Sequence, residues 1–222
     1  CSINSYMGAE SGMVSLTVTN SEGLPETGNG SFSISINHYP VLNITETIYA
    51  PVNESTSIEI ELSDFDGDDL TLTLLSSPEY TEFNFTSPSS GTLEISPVDD
   101  DSDGEIVFHA TDDGNPGISI DITLQIIVNY APILSSFEDI HVVENHLQYG
   151  GLFAYELNGD IILWTVDYMP SYVTYSCVGG CDSPISTLWL TFLAEPSTDD
   201  QSDSIVVTIS DAHGLSNTYT AI

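Results

Sequence analysis

The stretch Asn37-His38-Tyr39-Pro40-Val41-Leu42 recurs downstream as Asn129-Tyr130-Ala131-Pro132-Ile133-Leu134, with the two prolines 92 residues apart. Upstream of these copies, Asn20 and Asp112 are also 92 residues apart, and a third copy places Asp211 99 residues after Asp112. Self-similarity at a fixed long period indicates an array of related structural units. The chain is therefore expected to consist of tandem domains of one kind.

Each copy lies between runs in which apolar and polar residues alternate, such as residues 31–36 and 118–128. Alternation with a period of two predicts β-strands with one buried face. Residues 150–164 come nearest to a helical pattern, but their glycines and β-branched residues favour two strands. The predicted fold class is all-β, with tandem Ig-like Greek-key β-sandwiches joined by short turns.

The repeat divides the chain into three parts. Residues 1–38 are predicted to be the C-terminal strands of a truncated domain, residues 39–130 a complete domain, and residues 131–222 a second domain whose last strand is cut short. Residues 1–38 alone would expose a sheet edge and half a core, so we expect them to pack against protein outside this chain. The sequence therefore predicts a segment of a longer polymer.

Lysine and arginine are absent from the 222 residues, whereas 34 residues are Asp or Glu, so the net charge is -34. Clustered carboxylates in such a chain must find a metal ion, a backbone N–H group, water or a proton. Repulsion excludes nucleic acid and anionic membrane surfaces as direct partners. No stretch approaches the roughly 18 consecutive apolar residues of a membrane helix, so direct membrane insertion is not expected.

The three cysteines and the glycosylation motifs indicate an oxidising compartment. The loop Cys177-Val178-Gly179-Gly180-Cys181 predicts a small disulfide between its two cysteines, and the alternative is a metal-binding pair, which lacks a second nearby pair of ligands. Cys1 is left for a partner outside the chain. Four Asn-x-Ser/Thr sequons begin at Asn29, Asn43, Asn53 and Asn84. The predicted location is the extracellular cell surface or the secreted state.

Several motifs resemble those of cadherin repeats. The run from Phe108 to Pro116, which contains Ala110-Thr111-Asp112-Asp113-Gly114, resembles the end of such a repeat. Ser63-Asp64-Phe65-Asp66-Gly67-Asp68 resembles the D-x-D calcium motif, and Val142-Val143-Glu144-Asn145 resembles the P-E-N motif of the first strand. The last domain, with Met169-Pro170-Ser171-Tyr172-Val173-Thr174-Tyr175, is closer to the dystroglycan-type cadherin-like repeats.

This resemblance implies calcium at the linker ends of the domains. The family fold brings together the loops that carry Asp64, Asp66 and Asp112, which are therefore the main candidate ligands. The family's L-D-R-E motif is absent and residues 98–101 stand near its place, so a reduced site of one or two ions is expected. The alternative is that these acids are solvated turn residues. Further candidate ligands are Asp68, Asn37, Glu54, Asp99, Asp101, Asp103, Glu144 and Asp211.

The acidic run at residues 99–105 has the D-x-D-x-D-G opening of a calcium loop, but Ala110 occupies the twelfth position, where such loops carry an acid. In the last domain the loop that matches Asp64–Asp68 reads Asn158-Gly159-Asp160, with Asp211 opposite, which is a poorer ligand set. The five histidines lack zinc spacing with a third ligand. Surface or linker roles are expected for them.

Neither a nucleophile elbow nor a phosphate-binding loop is present, so the sequence predicts that the chain is not an enzyme. Trp164 and Trp189 lie in alternating runs and are predicted to be core residues, with a sugar-stacking platform as the alternative. The favoured function is a non-catalytic structural or adhesive segment stiffened by calcium, with copies of the same polymer or other extracellular proteins as partners. The second hypothesis is an ancillary module that binds carbohydrate, which exposed, coplanar aromatic side chains would favour.

Overall fold

The computed structural model describes residues 12–19, 27–44, 47–135, 141–178, 183–195 and 203–221, and within these ranges all regular secondary structure is β. At the N-terminal side, β1 (Gly12–Thr19) and β2 (Thr27–Ile34) pair as an antiparallel two-stranded sheet. Large apolar side chains of this hairpin, among them Met13 and Phe32, are exposed. No helix in the described ranges is long and apolar enough to span a membrane.

In its described residues the middle sandwich has eight strands in two sheets. Its strands are β3 (Val41–Leu42), β4 (Thr47–Pro51), β5 (Thr56–Ser63), β6 (Leu70–Ser76), β7 (Thr81–Ser87), β8 (Ser90–Ile95), β9 (Gly104–Asp112) and β10 (Ser119–Asn129). One sheet has the order β4-β10-β9-β6 and the other β3-β5-β8-β7. The pair β4–β10 is parallel and the remaining pairs are antiparallel.

The last sandwich repeats this arrangement in the described residues. Its strands are β11 (Ile133–Ser135), β12 (Gln148–Tyr155), β13 (Leu163–Tyr168), β14 (Val173–Val178), β15 (Ile185–Phe192), β16 (Ile205–Ser210) and β17 (Ser216–Ala221). The sheets have the orders β11-β12-β15-β14 and β13-β16-β17. These are the ABED and CFG orders of the Ig fold, so the predicted fold class of tandem Ig-like β-sandwiches is confirmed.

Each sandwich has a hydrophobic core of its own. The buried cluster of the middle sandwich extends from Ile48 to Ile126, and that of the last sandwich from Leu134 to Ile209. The strands alternate between buried and exposed positions, as in β15, where every second residue is buried. Both clusters lie within the ranges predicted for the two domains, whose boundaries stay predictions.

Two sequence-based expectations are wrong in this part of the chain. Glu144 and Asn145, compared with a first-strand motif, lie in a turn before β12, and Asn145 has a φ of 56°. Trp189 is not a core residue, because it faces away from the core and is 42% exposed. Trp164 does pack against the core of the last sandwich, as predicted.

Cys177 lies on β14 and is disulfide-bonded. Cys181, the predicted partner, lies outside the described residues, as does Cys1. The pairing of Cys177 with Cys181 therefore stays a prediction.

We expect Phe108→Ala to destabilise the middle sandwich by about 3–5 kcal/mol, because Phe108 is fully buried and the substitution leaves a cavity. Both tryptophans lie in the last sandwich, so urea unfolding followed by tryptophan fluorescence and by far-UV circular dichroism separates the two domains. The dichroism transition should gain an early phase that the fluorescence transition lacks. Phe85→Ala, at an exposed position, is the control and should cost less than about 1 kcal/mol. Equal losses in the two variants would contradict the assignment of this core.

Candidate functional site

Three carboxylates converge in the loop between β5 and β6. Asp64, Asp66 and Asp68 each offer one oxygen atom, and these atoms lie within 4.8 Å of one another. The loop turns around Asp64, whose Oδ1 accepts hydrogen bonds from the backbone N–H groups of Asp66 (2.7 Å) and Gly67 (3.2 Å). Gly67 has a φ of 80°, which a residue without Cβ adopts at little cost. This local turn brings the three carboxylates together.

Asp112, at the end of β9, adjoins this group through the loop to β10. Its Oδ1 accepts hydrogen bonds from the N–H groups of Gly114 (3.0 Å) and Ile118 (3.1 Å) and from Nδ2 of Asn37 (2.9 Å). A Cβ at Gly114 would displace the Asn37 amide and the Asp68 carboxylate, so the glycine allows these two side chains their present close approach. The residue before the sandwich and two of its loops thus meet at one end.

His38 attaches the same linker to Asp66. Its backbone N–H donates to Oδ2 of Asp66 at 2.7 Å, and its ring Nδ1 lies 2.8 Å from the same oxygen. The side-chain hydrogen bond with His38, followed by the backbone one, holds the pKa of Asp66 below its ordinary value. Asp66 is therefore kept ionised beside two other carboxylates.

The other carboxylates of the group differ in their pKa values. Partial burial, and then the negative charges of Asp64 and Asp112, raise the pKa of Asp68. Burial also acts to raise the pKa of Asp112, but the hydrogen bonds from Asn37 and from the two backbone N–H groups together lower it. The ionised form of Asp68 is thus the one most disfavoured by its neighbours.

Two oxygens of this site are buried and have no hydrogen-bond partner, namely Oδ2 of Asp64 and Oδ2 of Asp112. Because the chain has no lysine or arginine, no such side chain can neutralise them. A buried carboxylate oxygen without a partner is costly unless a cation or a proton occupies its lone pairs. The donor set of carboxylate and amide oxygens fits Ca²⁺, which binds about six to eight hard oxygen ligands.

A related cluster lies at the junction between the two sandwiches. Nδ2 of Asn129 donates to Oδ2 of Asp211 at 2.9 Å, as Asn37 donates to Asp112. Oδ1 of Asp211 accepts the N–H groups of His213 (2.8 Å) and Leu215 (2.9 Å), as Asp112 accepts those of its own loop. The loop between β12 and β13 completes the correspondence.

In that loop Glu156 takes the place of Asp64, 92 residues before it, and its Oε2 accepts the N–H of Asp160 at 2.9 Å. Asn158 accepts the N–H of Tyr130 at 2.9 Å and donates to the carbonyl of Val128 at 2.7 Å. The second cluster therefore repeats the first with Glu156, Asn158 and Asp160 at the positions of the three loop acids.

The second cluster is the more deeply buried of the two. Asn129 is 1% exposed and Glu156 is 7% exposed, and Oδ1 of Asn129 and Oε1 of Glu156 have no hydrogen-bond partner. Oδ2 of Asp160 is also buried without a partner. Sequence reasoning named Asp211 but missed Glu156, although the 92-residue spacing from Asp64 would have located it.

Contacts between the sandwiches fix the linker beside this cluster. The ring of Tyr49, on β4, stacks on His213 with centroids 3.4 Å apart and an angle of 17° between the planes. His213 Nε2 lies 3.6 Å from Oδ1 of Asp160. The hydroxyl of Tyr130 donates to the carbonyls of Asp99 (3.0 Å) and Asp101 (3.2 Å).

The acidic run before β9 does not join a convergent group in the part of the chain that the structure describes. Oδ1 of Asp99 accepts from Asn53, Oδ2 of Asp101 from the N–H of Val98, and Oδ1 of Asp103 from the N–H of Val128. These acids cap backbone and linker groups at the C-terminal end of the middle sandwich. Their role as ligands stays a prediction.

Glu54 and Glu144 lie in exposed turns. As ligands they stay predictions. The four sequon asparagines (Asn29, Asn43, Asn53 and Asn84) are also exposed. The side-chain nitrogen of Asn53 donates to Asp99 at 2.7 Å, so attachment of a glycan there would replace that hydrogen bond.

No protein-family model matches the chain, and no curated protein matches it. Among solved structures, an I-band fragment of titin is 13% identical over 95% of this chain and 73% of the fragment, with a TM-score of 0.47. The endo-fucoidan hydrolase MfFcnA4 from glycoside hydrolase family 107 is 19% identical over 94% of this chain, with a TM-score of 0.34. The chain spans about one third of the length of that hydrolase, of which 33% is covered. The assignment to the Ig fold rests on the strand order given above, and membership of the cadherin family stays a prediction.

The prediction that the chain is not an enzyme is contradicted by these comparisons. Three of the similar structures are endo-fucoidan hydrolases of glycoside hydrolase family 107. The exclusion of catalysis is therefore withdrawn.

We expect Asp68→Asn to raise the melting temperature in excess chelator and to reduce the increase that calcium produces. Because the folded-state pKa of Asp68 lies above its ordinary value, the protonated side chain favours the folded state. This contribution to stability is present below the ordinary pKa and is lost as pH rises through the folded-state pKa. At pH 7 the neutral amide removes the repulsion from the carboxylates of Asp64 and Asp112, but it also removes a charged ligand for calcium. Calcium affinity should fall by at least about tenfold.

Differential scanning fluorimetry at pH 7, in chelator and in calcium, measures both effects. Asp121→Asn, an exposed acid on β10 paired with His109, is the matched control. A lower melting temperature of the Asp68→Asn variant in chelator would show that Asp68 is not part of a metal centre. An increase of its melting temperature in calcium as large as that of the parent chain would show the same.

Proposed function

We propose that this chain is a structural and adhesive segment of an extracellular protein, in which calcium at the linker end of each sandwich stiffens the array. The observation that carries the proposal is the convergence of Asp64, Asp66 and Asp68 beside Asp112, with two buried carboxylate oxygens left without a partner. In a chain without lysine or arginine, a divalent cation is the partner that neutralises this group at neutral pH.

The position of the site explains how a cation would act on the array. Asn37 and His38 precede the middle sandwich and already contact Asp112 and Asp66. A cation that ties together the two loops at this end therefore also fixes the chain that enters the domain. Because Asn129 has the equivalent contact with Asp211, the same principle applies at the junction of the two sandwiches.

The extracellular location is supported by the disulfide at Cys177 and by four exposed sequons. Partners that fit such an array are other domains or copies of the same parent protein and other extracellular proteins. Tandem sandwiches present several sheet faces and loops to these partners while the linkers fix their spacing.

We expect the chain to melt at a higher temperature in calcium than in chelator. At a calcium concentration about 100 times the dissociation constant, one site stabilises the folded state by about 2.7 kcal/mol. Magnesium at the same concentration should stabilise less, since it keeps its own waters and demands a stricter octahedral geometry. Calorimetric titration gives the stoichiometry.

The double variant Asp64→Asn/Asp112→Asn tests the assignment, because it keeps the hydrogen-bonding shape of both side chains and removes two charges. It should lose most of the calcium response of the middle sandwich. Glu59→Gln/Glu61→Gln removes two charges from the outer face of the same domain and should keep that response. Equal calcium responses in the two double variants, or no response in the parent chain, would refute a calcium centre at this linker.

A further inference from the structure

The outer face of the sheet β11-β12-β15-β14 carries a row of aromatic side chains. On β12, Tyr149 and Phe153 point outward and are 67% and 41% exposed, and on β15 Trp189 is 42% exposed. In the pairing register Gly151 lies directly opposite Trp189, midway between Tyr149 and Phe153. Tyr149 and Phe153 are four residues apart on one strand, which places them about 13 Å apart.

Trp189 leans across Gly151 instead of standing over its own strand. A Cβ built at Gly151 would lie 3.6 Å and 3.7 Å from two carbons of the six-membered ring of Trp189. The indole thus covers the glycine and lies between the positions of Tyr149 and Phe153 along β12. We call Tyr149, Phe153 and Trp189 the aromatic row.

Hydroxyl groups border the aromatic row, and no carboxylate lies on this face in the described residues. Thr187 and Thr191 flank Trp189 on β15, and Thr174 and Ser176 lie at the positions of β14 that pair with Thr191 and Trp189. In a chain with 34 acidic residues, a four-stranded face without any of them is notable. An exposed apolar patch with a polar border is the pattern of a binding surface.

The corresponding face of the middle sandwich shows that the fold does not require these aromatics. Residues 92 positions earlier are Ser57, Glu59 and Glu61 at the places of Tyr149, Gly151 and Phe153. Thr92 pairs with Glu59 as Trp189 pairs with Gly151. Glu82 and Glu94 add two more carboxylates to that face. The same strands of the same fold are thus acidic and hydrophilic in one sandwich and uncharged and aromatic in the other.

We propose that the aromatic row of the last sandwich is a binding site for a neutral oligosaccharide chain. The C–H faces of sugar rings pack on aromatic faces, and the bordering Thr and Ser hydroxyls offer donors and acceptors to sugar hydroxyls. A row about 13 Å long, from four residues of extended strand, takes an oligosaccharide rather than a single sugar.

Charge favours a neutral ligand over the other occupants. Anionic polysaccharides are repelled by the net charge of -34. A basic protein is attracted to negative charge, and it would find that on the face with Glu59, Glu61, Glu82 and Glu94 rather than on the aromatic row. The proposal goes beyond the structural role above and does not depend on the metal centre.

The test is affinity electrophoresis of the whole chain in native gels, each containing one polysaccharide. The neutral probes are hydroxyethylcellulose, arabinoxylan, galactomannan, mixed-linkage β-glucan and laminarin, and the anionic probes are alginate and dextran sulfate. We expect retardation by at least one neutral probe, unchanged by chelator or by added salt. Trp164→Phe leaves Trp189 as the only tryptophan, so binding should shift its emission to shorter wavelength.

Two variants assign the site. Trp189→Ala should weaken binding at least about tenfold, as loss of a central aromatic anchor does. Gly151→Glu introduces the residue of the equivalent position in the middle sandwich, and its Cβ fits at ordinary contact distance, so the fold is kept while binding is lost. Glu61→Ala, on the acidic face, is the control and should bind like the parent chain.

Three outcomes would overturn the proposal. The first is that no neutral probe retards the chain, and the second is that Trp189→Ala and Gly151→Glu are retarded like the parent. The third is self-association in sedimentation experiments that Trp189→Ala abolishes, which would make a second copy the occupant. Because these readouts are independent of calcium, they fail or succeed separately from the proposed metal centre.

Discussion

The structure is governed by the need to accommodate carboxylates without lysine or arginine. Where acids lie near the linkers, backbone N–H groups, asparagine amides and histidines act as their partners, as Asp112, Asp211 and Asp66 show. These neutral or weakly basic donors satisfy one oxygen of a carboxylate but do not cancel its charge. The uncompensated charge is therefore concentrated at the linker ends of the sandwiches, where the buried oxygens without partners are found. Acids such as Glu59, Glu61 and Glu82 lie on exposed strand faces, where water solvates them.

The repeat of 92 residues made most of the fold and half of the candidate site predictable. Alternation showed the strands, and the repeated Asn–Asp pairs showed which loops belong to equivalent ends of the two domains. Which acids approach one another could not be derived from the sequence, because burial and mutual approach depend on tertiary contacts. Asp68 was ranked below Asp112, yet Asp68 joins Asp64 and Asp66 in the convergent group.

Glu156 was missed for a related reason. It replaces Asp64 with a longer side chain in a loop that otherwise contains Asn158 and Asp160, and the loop was judged by its similarity to an acidic motif. Its near-complete burial, which makes its free oxygen significant, depends on tertiary packing and cannot be derived from the local sequence. The misplacement of Trp189 was avoidable. One face of β15 carries Leu188, Leu190 and Phe192. The alternate residues, which include Thr187 and Thr191, therefore had to face outward.

Comparison of the two sandwiches separates what the array requires from what each domain is free to change. The linker ends keep the Asn–Asp contact, the left-handed glycines Gly67 and Gly159 and an acid three residues before each glycine. The outer face of the neighbouring sheet keeps none of its side chains at equivalent positions, although its strands and register are the same. If the solubility of the protein were the only requirement on this face, its residues would be expected to be hydrophilic in both sandwiches, since an exposed aromatic row lowers solubility. The change from Glu59 and Glu61 to Gly151 and Phe153 is therefore not required by the fold, and the proposed ligand accounts for it.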